Sequence, residues 1–297
     1  MNASLRRVGV IGWPLKHSLS PPIHQHWMRE ANLREKTYEA IPVSSDKLTT
    51  FLGRLAGDGF AGCNVTVPHK EAVFSYIESH GTLDANAKYL RAVNLVSIDG
   101  SGKMKGRNTD GYGFIESLRE RVPNFLPCGK AVVLGAGGSA RAILAALWKQ
   151  KTRSIVVVNR TRERAEKLLQ ELDISNSEVF RIDGICAAVE KANLLVNTTN
   201  LGMAGFPDME QGIGIAPMEF LKGMARDAIV SDIVYTPLQT ELLQAAQKQG
   251  LTSVDGLGML IHQAVPSFEV WFGVRPKVTP ALHKLLEEEL RARGNPD

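Results

Sequence analysis

Residues 131–140 read AVVLGAGGSA, a short apolar run that breaks into glycines, and 140–148 continue as ARAILAALW, a helix-forming stretch. Strand, Gly-rich turn and helix in that order form a cradle for a dinucleotide pyrophosphate. Gly135 permits the tight turn, Gly137 lets the backbone approach the phosphates, and the helix start beyond Ser139 presents unpaired N–H groups. Ala136 and Gly138 complete the turn, and Ala140 stands where the usual third glycine allows helix to pack on strand. Because 130 residues precede the motif, it reads as a nucleotide module behind an earlier domain.

A matching second strand, SIVVVNR, ends at Asn159-Arg160-Thr161. In such a unit the residue about 20 positions past the glycines meets the adenosine ribose, and an Asp or Glu there holds the 2′-hydroxyl of NAD. This chain carries Asn159 and Arg160, with Arg162 and Arg164 close behind. Cations at a helix N-terminus oppose its dipole by roughly 0.3–1 kcal/mol each when exposed, and a bound phosphate reverses that penalty. NADP is the expected cofactor. The plainer alternative makes Thr161 an N-cap and leaves the arginines solvated.

Composition is ordinary for a soluble α/β chain of 297 residues, with 44% hydrophobic and 22% charged residues, and the length suggests two domains. A net charge of +4 without a Lys/Arg block interleaved with aromatics argues against nucleic acid. Cys63, Cys128 and Cys186 form neither a disulfide framework nor a zinc site, which points to a reducing, cytoplasmic setting. The first apolar run is too short for a signal peptide, and no 18-residue apolar window is free of charge, so no membrane span is expected.

Up to residue 110 the chain alternates strand-like and helix-like segments: RRVGVIG, PPIHQHWMREAN, TYEAIPV, KLTTFLGRLAGDG and GCNVTVP, then a hairpin around Asp99-Gly100. This predicts a mostly parallel sheet covered by helices. DGYGFIESLRERV reads as a connecting helix and PNFLPCGK as a linker. LLVNTT, AIVSDIVY and LTSVDG read as further strands of the nucleotide module. The expected boundaries are 1–113, 114–255 and 256–297, the last segment being helices that return to the first domain.

Three polar motifs end predicted strands, where open α/β sheets bind ligands. In GWPLKHSLSP, Ser18 and Ser20 could donate together to one carboxylate, although Ser20 before Pro21 also reads as a helix N-cap. In NVTVPHKE, Thr66 and Lys70 follow a strand; alone, Lys70 is a surface charge. In GRNTDGYGF, Asn108, Thr109 and Asp110 read locally as turn or capping residues. A partly desolvated Lys70–Asp110 pair could pass a proton to or from a hydroxyl or ketone while hydride moves on a nicotinamide. No motif suggests a metal or a covalent nucleophile, and His24 and His26 do not share a helix face.

With these motifs in order, the chain resembles the shikimate dehydrogenase family over nearly its whole length. The signatures are GWPLKHSLSP, NVTVPHKE, AVN at 92–94, NTDGYGF, LGAGGSARA, NRT, DIVYTPLQTELL and GLGMLIHQA. The resemblance implies an α/β substrate domain, a Rossmann-like NADP domain and returning C-terminal helices. It implies an NADP-dependent oxidoreductase interconverting 3-dehydroshikimate and shikimate on the route to chorismate and aromatic amino acids. Lys70 and Asp110 would be catalytic. Ser18 and Ser20 would hold the substrate carboxylate, and Thr66, Asn94, Asp110, Tyr235 and Gln263 would bond the ring groups. Gly135 to Ala140 would cradle the pyrophosphate, and Asn159, Arg160, Thr161 and Arg164 would meet the 2′-phosphate. Ile233, Gly256 and Met259 would line the nicotinamide pocket. The chain would work as a monomer or homodimer on a small-molecule substrate.

Two stretches depart from the family pattern. Arg91 and Leu95 flank Ala-Val-Asn where the family has Gly and Thr, and Asn197-Thr198-Thr199-Asn200 replaces Asn-Ala-Thr-Pro, on what the resemblance makes the nicotinamide side. The departures are open to neutral drift, altered kinetics or a related substrate such as quinate. Three rivals are an NAD-dependent quinate/shikimate enzyme, a non-catalytic NADP(H) sensor and a folate-type dehydrogenase. The Asn159-Arg160-Thr161 ending weighs against the first, the Lys70–Asp110 pair against the second, and Ser18-Leu19-Ser20 against the third.

Overall fold

A computed structural model describes residues 7–15, 18–33, 35–123, 125 and 129–294. Cys128, half of the expected linker and the start of the chain lie outside the described residues. The chain divides into two compact units, Met1–Asp110 with Ile261–Asp297, and Gly111–Leu260.

The first unit contains β1 (Arg7–Gly12), α1 (Ser20–Glu30), β2 (Thr37–Pro42), α2 (Leu48–Arg54), β3 (Phe60–Val65), α3 (Lys70–His80), β4 (Thr82–Leu83), α4 (Ala85–Leu90), β5 (Leu95–Ile98) and β6 (Met104–Arg107). Its six strands lie in the order β2-β1-β3-β5-β6-β4. β1 pairs in parallel with β2 and β3, as alternating strands and helices require. The hairpin around Asp99-Gly100 forms as β5 and β6, and makes the sheet mixed, because β5 runs antiparallel to both β3 and β6. Asp99 fastens that turn by accepting the N–H groups of Ser101 at 2.9 Å and Lys103 at 3.0 Å. The helix expected over 47–59 stops at Arg54. Gly57 and Gly59, the latter at φ +78°, carry the chain round into β3 instead.

The second unit takes in α5 (Asp110–Arg121) from Gly111, followed by β7 (Lys130–Leu134), α6 (Gly138–Lys149), β8 (Ser154–Asn159), α7 (Arg162–Glu171), β9 (Ser177–Arg181), α8 (Ile185–Val189), β10 (Leu194–Asn197), α9 (Met209–Ile213), α10 (Pro217–Phe220), β11 (Ile229–Asp232), α11 (Glu241–Lys248) and β12 (Thr252–Val254). All pairings in its sheet are parallel, in the order β12-β11-β10-β7-β8-β9. The chain therefore reverses direction of travel between β7 and β10, which is the Rossmann arrangement with its ligand crevice at that switch point. Val132, Leu134, Val156, Val158, Leu195 and Val230 are buried among the helices, as strands covered on both faces demand. The strand expected over 228–235 ends at Asp232, whose Oδ1 accepts the Val234 N–H at 3.0 Å and turns the backbone out of the sheet.

α12 (Gly256–Phe272) crosses the division between units after Leu260, and α13 (Pro280–Gly294) follows. From Ile261 onward these helices belong to the first unit. Ser267 accepts from Asn64 Nδ2 at 2.8 Å, Trp271 Nε1 donates to the Val96 carbonyl at 3.1 Å, and Trp27 Nε1 to that of Lys277 at 2.9 Å. His24 stacks on Tyr38 in the same packing, 4.0 Å between ring centres, and burial pushes its imidazole down to about 3.

Candidate active site

In the first unit the polar motifs converge. Thr66 and Lys70 follow β3, Asn94 precedes β5, Thr109 and Asp110 follow β6, and Gln263 lies on α12. Lys70 Nζ donates to Asp110 Oδ2 at 2.5 Å, with side-chain exposures of 21% and 7%. The other carboxylate oxygen accepts from Asn94 Nδ2 at 2.7 Å. Asn94 also accepts the Thr109 N–H at 2.8 Å, and the Thr109 hydroxyl donates to the Gln263 carbonyl at 2.8 Å. The lysine headgroup is therefore fixed through a buried carboxylate whose own orientation is fixed by an amide.

Asn94 is placed by its backbone. Its N–H donates to Arg107 O at 3.0 Å and its carbonyl accepts from Val65 N at 2.9 Å, which locks it between the ends of β3 and β6. Lys70 is tied to the same segment because its carbonyl accepts the Val93 N–H at 3.0 Å. The neighbouring departure from the family pattern is accommodated. Arg91 adopts φ +50°, ψ +37°, the left-handed conformation natural to the glycine it replaces, and points its side chain to solvent. Leu95 is fully buried in β5.

At Ser18 and Ser20 the expected capping roles are exchanged. α1 begins at Ser20 with Leu19 in the cap position, and it is Ser18 Oγ that accepts the Ser20 N–H, at 3.3 Å. Pro21 and Pro22 carry no N–H, so the first donor in need of a partner is that of Ser20, two residues past Ser18. Asp110 is likewise no ordinary cap: Asn108 Oδ1 takes the Asp110 N–H at 3.1 Å, leaving both carboxylate oxygens to Lys70 and Asn94. Tyr235 belongs to the second unit, after β11.

Sequence reasoning gave Thr109 only a turn role and passed over Asn64. Asn64 Nδ2 donates to the Asn94 carbonyl at 3.2 Å and Tyr38 donates to Asn64 Oδ1 at 2.9 Å, so Asn64 braces Asn94 from beneath. Nothing local marks Asn64, which occupies a strand position like any other in β3.

In the second unit the glycine turn lies at the carboxyl end of β7, at the switch point. Gly135 has φ +109°, and a Cβ there would sit 2.6 Å from Thr198 Oγ1, so the position requires glycine. A Cβ at Gly137 or Gly138 would project into open space, and Gly137 caps α6 without a side-chain bond. The turn thus leaves room, and free N–H groups, for a pyrophosphate. Ser139 and Ala140 continue the first turn of α6, Ala140 fully buried.

A cavity of about 660 Å³ opens beside this turn, lined by Gly135, Ala136 and Gly137 and by Asn159, Arg160 and Arg164 at the end of β8. Arg164 Nε donates to the Ala136 carbonyl at 3.0 Å, which ties the arginine group to the turn. Asn159 Nδ2 donates to Thr161 O at 2.8 Å. Thr161 holds the N-cap position of α7, as the plainer reading has it, without a side-chain capping bond. Arg162 is neutralised by Glu166 at 2.7 Å. Thr198, Thr199 and Asn200, from the stretch that departs from the family pattern, line the same cavity, brought to the turn by the end of β10. Ile233 and Gly256 meet each other instead: a Cβ on Gly256 would lie 2.2 Å from Ile233 O. Met259, half-buried on α12, completes that group by sequence position.

These features define the class of two-unit α/β proteins that join a dinucleotide-binding sheet to a second, polar site. Within that class, family models described as the shikimate dehydrogenase substrate binding domain, shikimate / quinate 5-dehydrogenase and the shikimate 5′-dehydrogenase C-terminal domain match residues 10–96, 118–203 and 256–286. The shikimate dehydrogenase (NADP(+)) of Methylocella silvestris is 44% identical over 98% of this chain and 99% of its own. That of Brucella abortus is 42% identical over 97% and 96%. The chain belongs to the shikimate dehydrogenase family. Among solved structures, Thermus thermophilus shikimate 5-dehydrogenase in complex with NADP(H) and shikimate superposes with a TM-score of 0.78 at 31% identity, covering 97% of this chain and 99% of that one. Quinate dehydrogenase from Corynebacterium glutamicum in complex with NAD does so at 0.82 and 31%, covering 95% and 98%. The fold therefore accommodates both cofactors, and the side chains have to decide between them. No helix among the described residues is long and apolar enough to cross a membrane.

Proposed function

We infer that the chain interconverts 3-dehydroshikimate and shikimate with NADP, in the route to chorismate and the aromatic amino acids. The observation that carries this reading is the Lys70–Asp110 contact at 2.5 Å, held by Asn94. In reduction the ketone carbon gains a hydride and its oxygen gains a proton; NADPH supplies the hydride. Lys70 Nζ is the donor for the proton, and takes it back when shikimate is oxidised. Asp110 keeps the ammonium aimed and balances its charge, and its oxygens accept from a ring hydroxyl. Ser18 and Ser20 bind the carboxylate; Ser18 remains able to donate because its local bond uses only an acceptor lone pair. Thr66, Asn94, Tyr235 and Gln263 bond the remaining ring groups.

The cofactor reading rests on side chains of the second unit. The turn from Gly135 to Ala140 receives the pyrophosphate, and Asn159, Arg160, Thr161 and Arg164 favour a 2′-phosphate over a bare ribose, because no carboxylate stands among them to repel it. Ile233, Gly256 and Met259 form the nicotinamide wall. One chain supplies every group named, so a monomer suffices and a homodimer is compatible. The widely spaced cysteines favour the cytoplasm.

The test crosses shikimate and quinate with NADP and NAD, following near-ultraviolet absorbance of the reduced nicotinamide. Turnover of shikimate with NADP, well above the other three pairs, is the expected result. Preference for quinate or NAD would place the chain on the broader-specificity branch. No turnover in any pair, with NADP still bound, would favour a sensor.

A further inference from the structure

We propose that Phe206 is the aromatic wall against which the adenine of NADP stacks in this chain. The inference rests on the reading that the cavity beside the glycine turn takes the adenosine end of NADP. Arg160 and Arg164 account for a phosphate, but not for the apolar part of the lining, to which Phe206 and Pro207 belong. A ligand matching both halves is a phosphate joined to a flat apolar ring, which describes an adenosine 2′-phosphate.

Phe206 is distinguished from its neighbours by being unspent. Leu201 and Ile182 also line the cavity, yet both pack against the hydrophobic core of the unit. Phe206 packs in no core cluster described and stays 49% exposed. Covering an exposed apolar side chain is favourable in proportion to the area removed from water, so a ligand that covers Phe206 gains from it. Met218 and Val274 are also exposed but do not line this cavity, and single exposed apolar residues need no explanation.

The loop that carries Phe206 is held still. Gly202 N–H donates to Pro207 O, Phe206 N–H to Met203 O and Ala204 N–H to Thr236 O, each at 2.9 Å. Gly202 and Gly205, at φ +78° and +83°, make the turns that close it. A ring carried on a backbone-bonded loop leaves less of the chain to be ordered when a base stacks on it, which favours a platform. The 660 Å³ of the cavity falls in the range of small-ligand sites.

The test is calorimetric titration of the full chain with adenosine 2′,5′-bisphosphate, which contains the base and phosphates but no nicotinamide. Phe206→Ala should weaken binding about tenfold, within what loss of a stacking partner does, and Phe206→Tyr should restore it. The melting temperature should stay unchanged, because the ring supports no core. Arg160→Ala serves as the reference for the cavity itself. If Arg160→Ala weakens binding and Phe206→Ala does not, the stacking role is overturned and the cofactor reading stands. If neither variant weakens binding, the cavity is not the adenosine site and both readings fall.

Discussion

Asn94 holds one oxygen of Asp110 at 2.7 Å while itself accepting the Thr109 N–H at 2.8 Å, so a single buried amide sets the carboxylate that aims Lys70. Removing it strands two groups at once, the Asp110 oxygen and the Thr109 N–H. Each buried group left without a partner costs roughly 1–3 kcal/mol. Asn94→Ala should therefore lower stability by about 2–6 kcal/mol in urea denaturation. It should also reduce kcat/KM for shikimate by about a hundredfold, the loss of roughly two charge-assisted contacts. A variant with wild-type kcat/KM would show that Asp110 is held by its backbone alone.

Lys70 itself is half-buried on the first turn of α3, and its headgroup has Asp110 as a partner. Positioned proton transfer contributes about 10²–10⁴-fold to rate. Lys70→Ala should cut kcat by that order while shifting KM for shikimate less than about threefold, because the binding hydroxyls and amides are untouched. Steady-state kinetics decide it: near-normal kcat removes Lys70 from proton transfer, and a rise confined to KM makes it a binding residue.

What the sequence disclosed depended on whether the signal was local. The strand-turn-helix at β7 and α6 and the arginines after β8 were legible because apolar runs, glycines and charge lie within about 30 residues of one another. β9 was missed because Ser177-Glu178 begins an edge strand only partly covered by the unit, and its alternation is weak. The site was harder. Lys70 and Asp110 are 40 residues apart, and locally each reads as a surface charge or a capping group. Family motifs linked them; neither propensity nor spacing did. Asn64 and Phe206 stayed hidden for the same reason, since their importance comes from segments meeting at strand ends. Ser18 and Ser20 show a finer limit: the Ser-Pro pattern located the start of α1 correctly but not which hydroxyl serves it.

At the end of α4, Arg91 stands in the left-handed region at φ +50°. A non-glycine residue there costs about 1 kcal/mol, partly offset by the greater freedom glycine has when unfolded. Arg91→Gly should stabilise the chain by a few tenths to about 1 kcal/mol and leave kcat and KM unchanged, since Asn94 is located by its bonds to Val65 and Arg107. Denaturation midpoints and kinetics on the same samples test both halves. A tenfold gain in kcat/KM would mean that Arg91 distorts the site after all.

Asp232, at the end of β11, is fully buried, and burial pushes its carboxyl up to about 6 despite bonds from Asn197 at 2.9 Å, Val234 at 3.0 Å and Thr240 at 2.8 Å. Between the ordinary value near 3.8 and about 6, the folded chain binds one proton more than the unfolded chain. Stability from this group is therefore greatest below that window and falls as pH rises through it, by roughly 2–3 kcal/mol at most. His24 acts in the opposite sense. Its lowered value favours the folded state above the unfolded histidine range and loses that advantage in acid, so the wild-type curve alone will not isolate Asp232. The difference between wild type and Asp232→Asn does, because His24 cancels. An asparagine keeps an acceptor for Asn197 and Val234 and can donate to Thr240, whose hydroxyl hydrogen rotates away. Asp232→Asn should be about 1–2 kcal/mol more stable than wild type at pH 7.5, with the gap closing by about pH 4. A variant less stable at every pH would show that the carboxylate is retained for its hydrogen-bond geometry, which joins the ends of β10 and β11 beneath the cofactor loops.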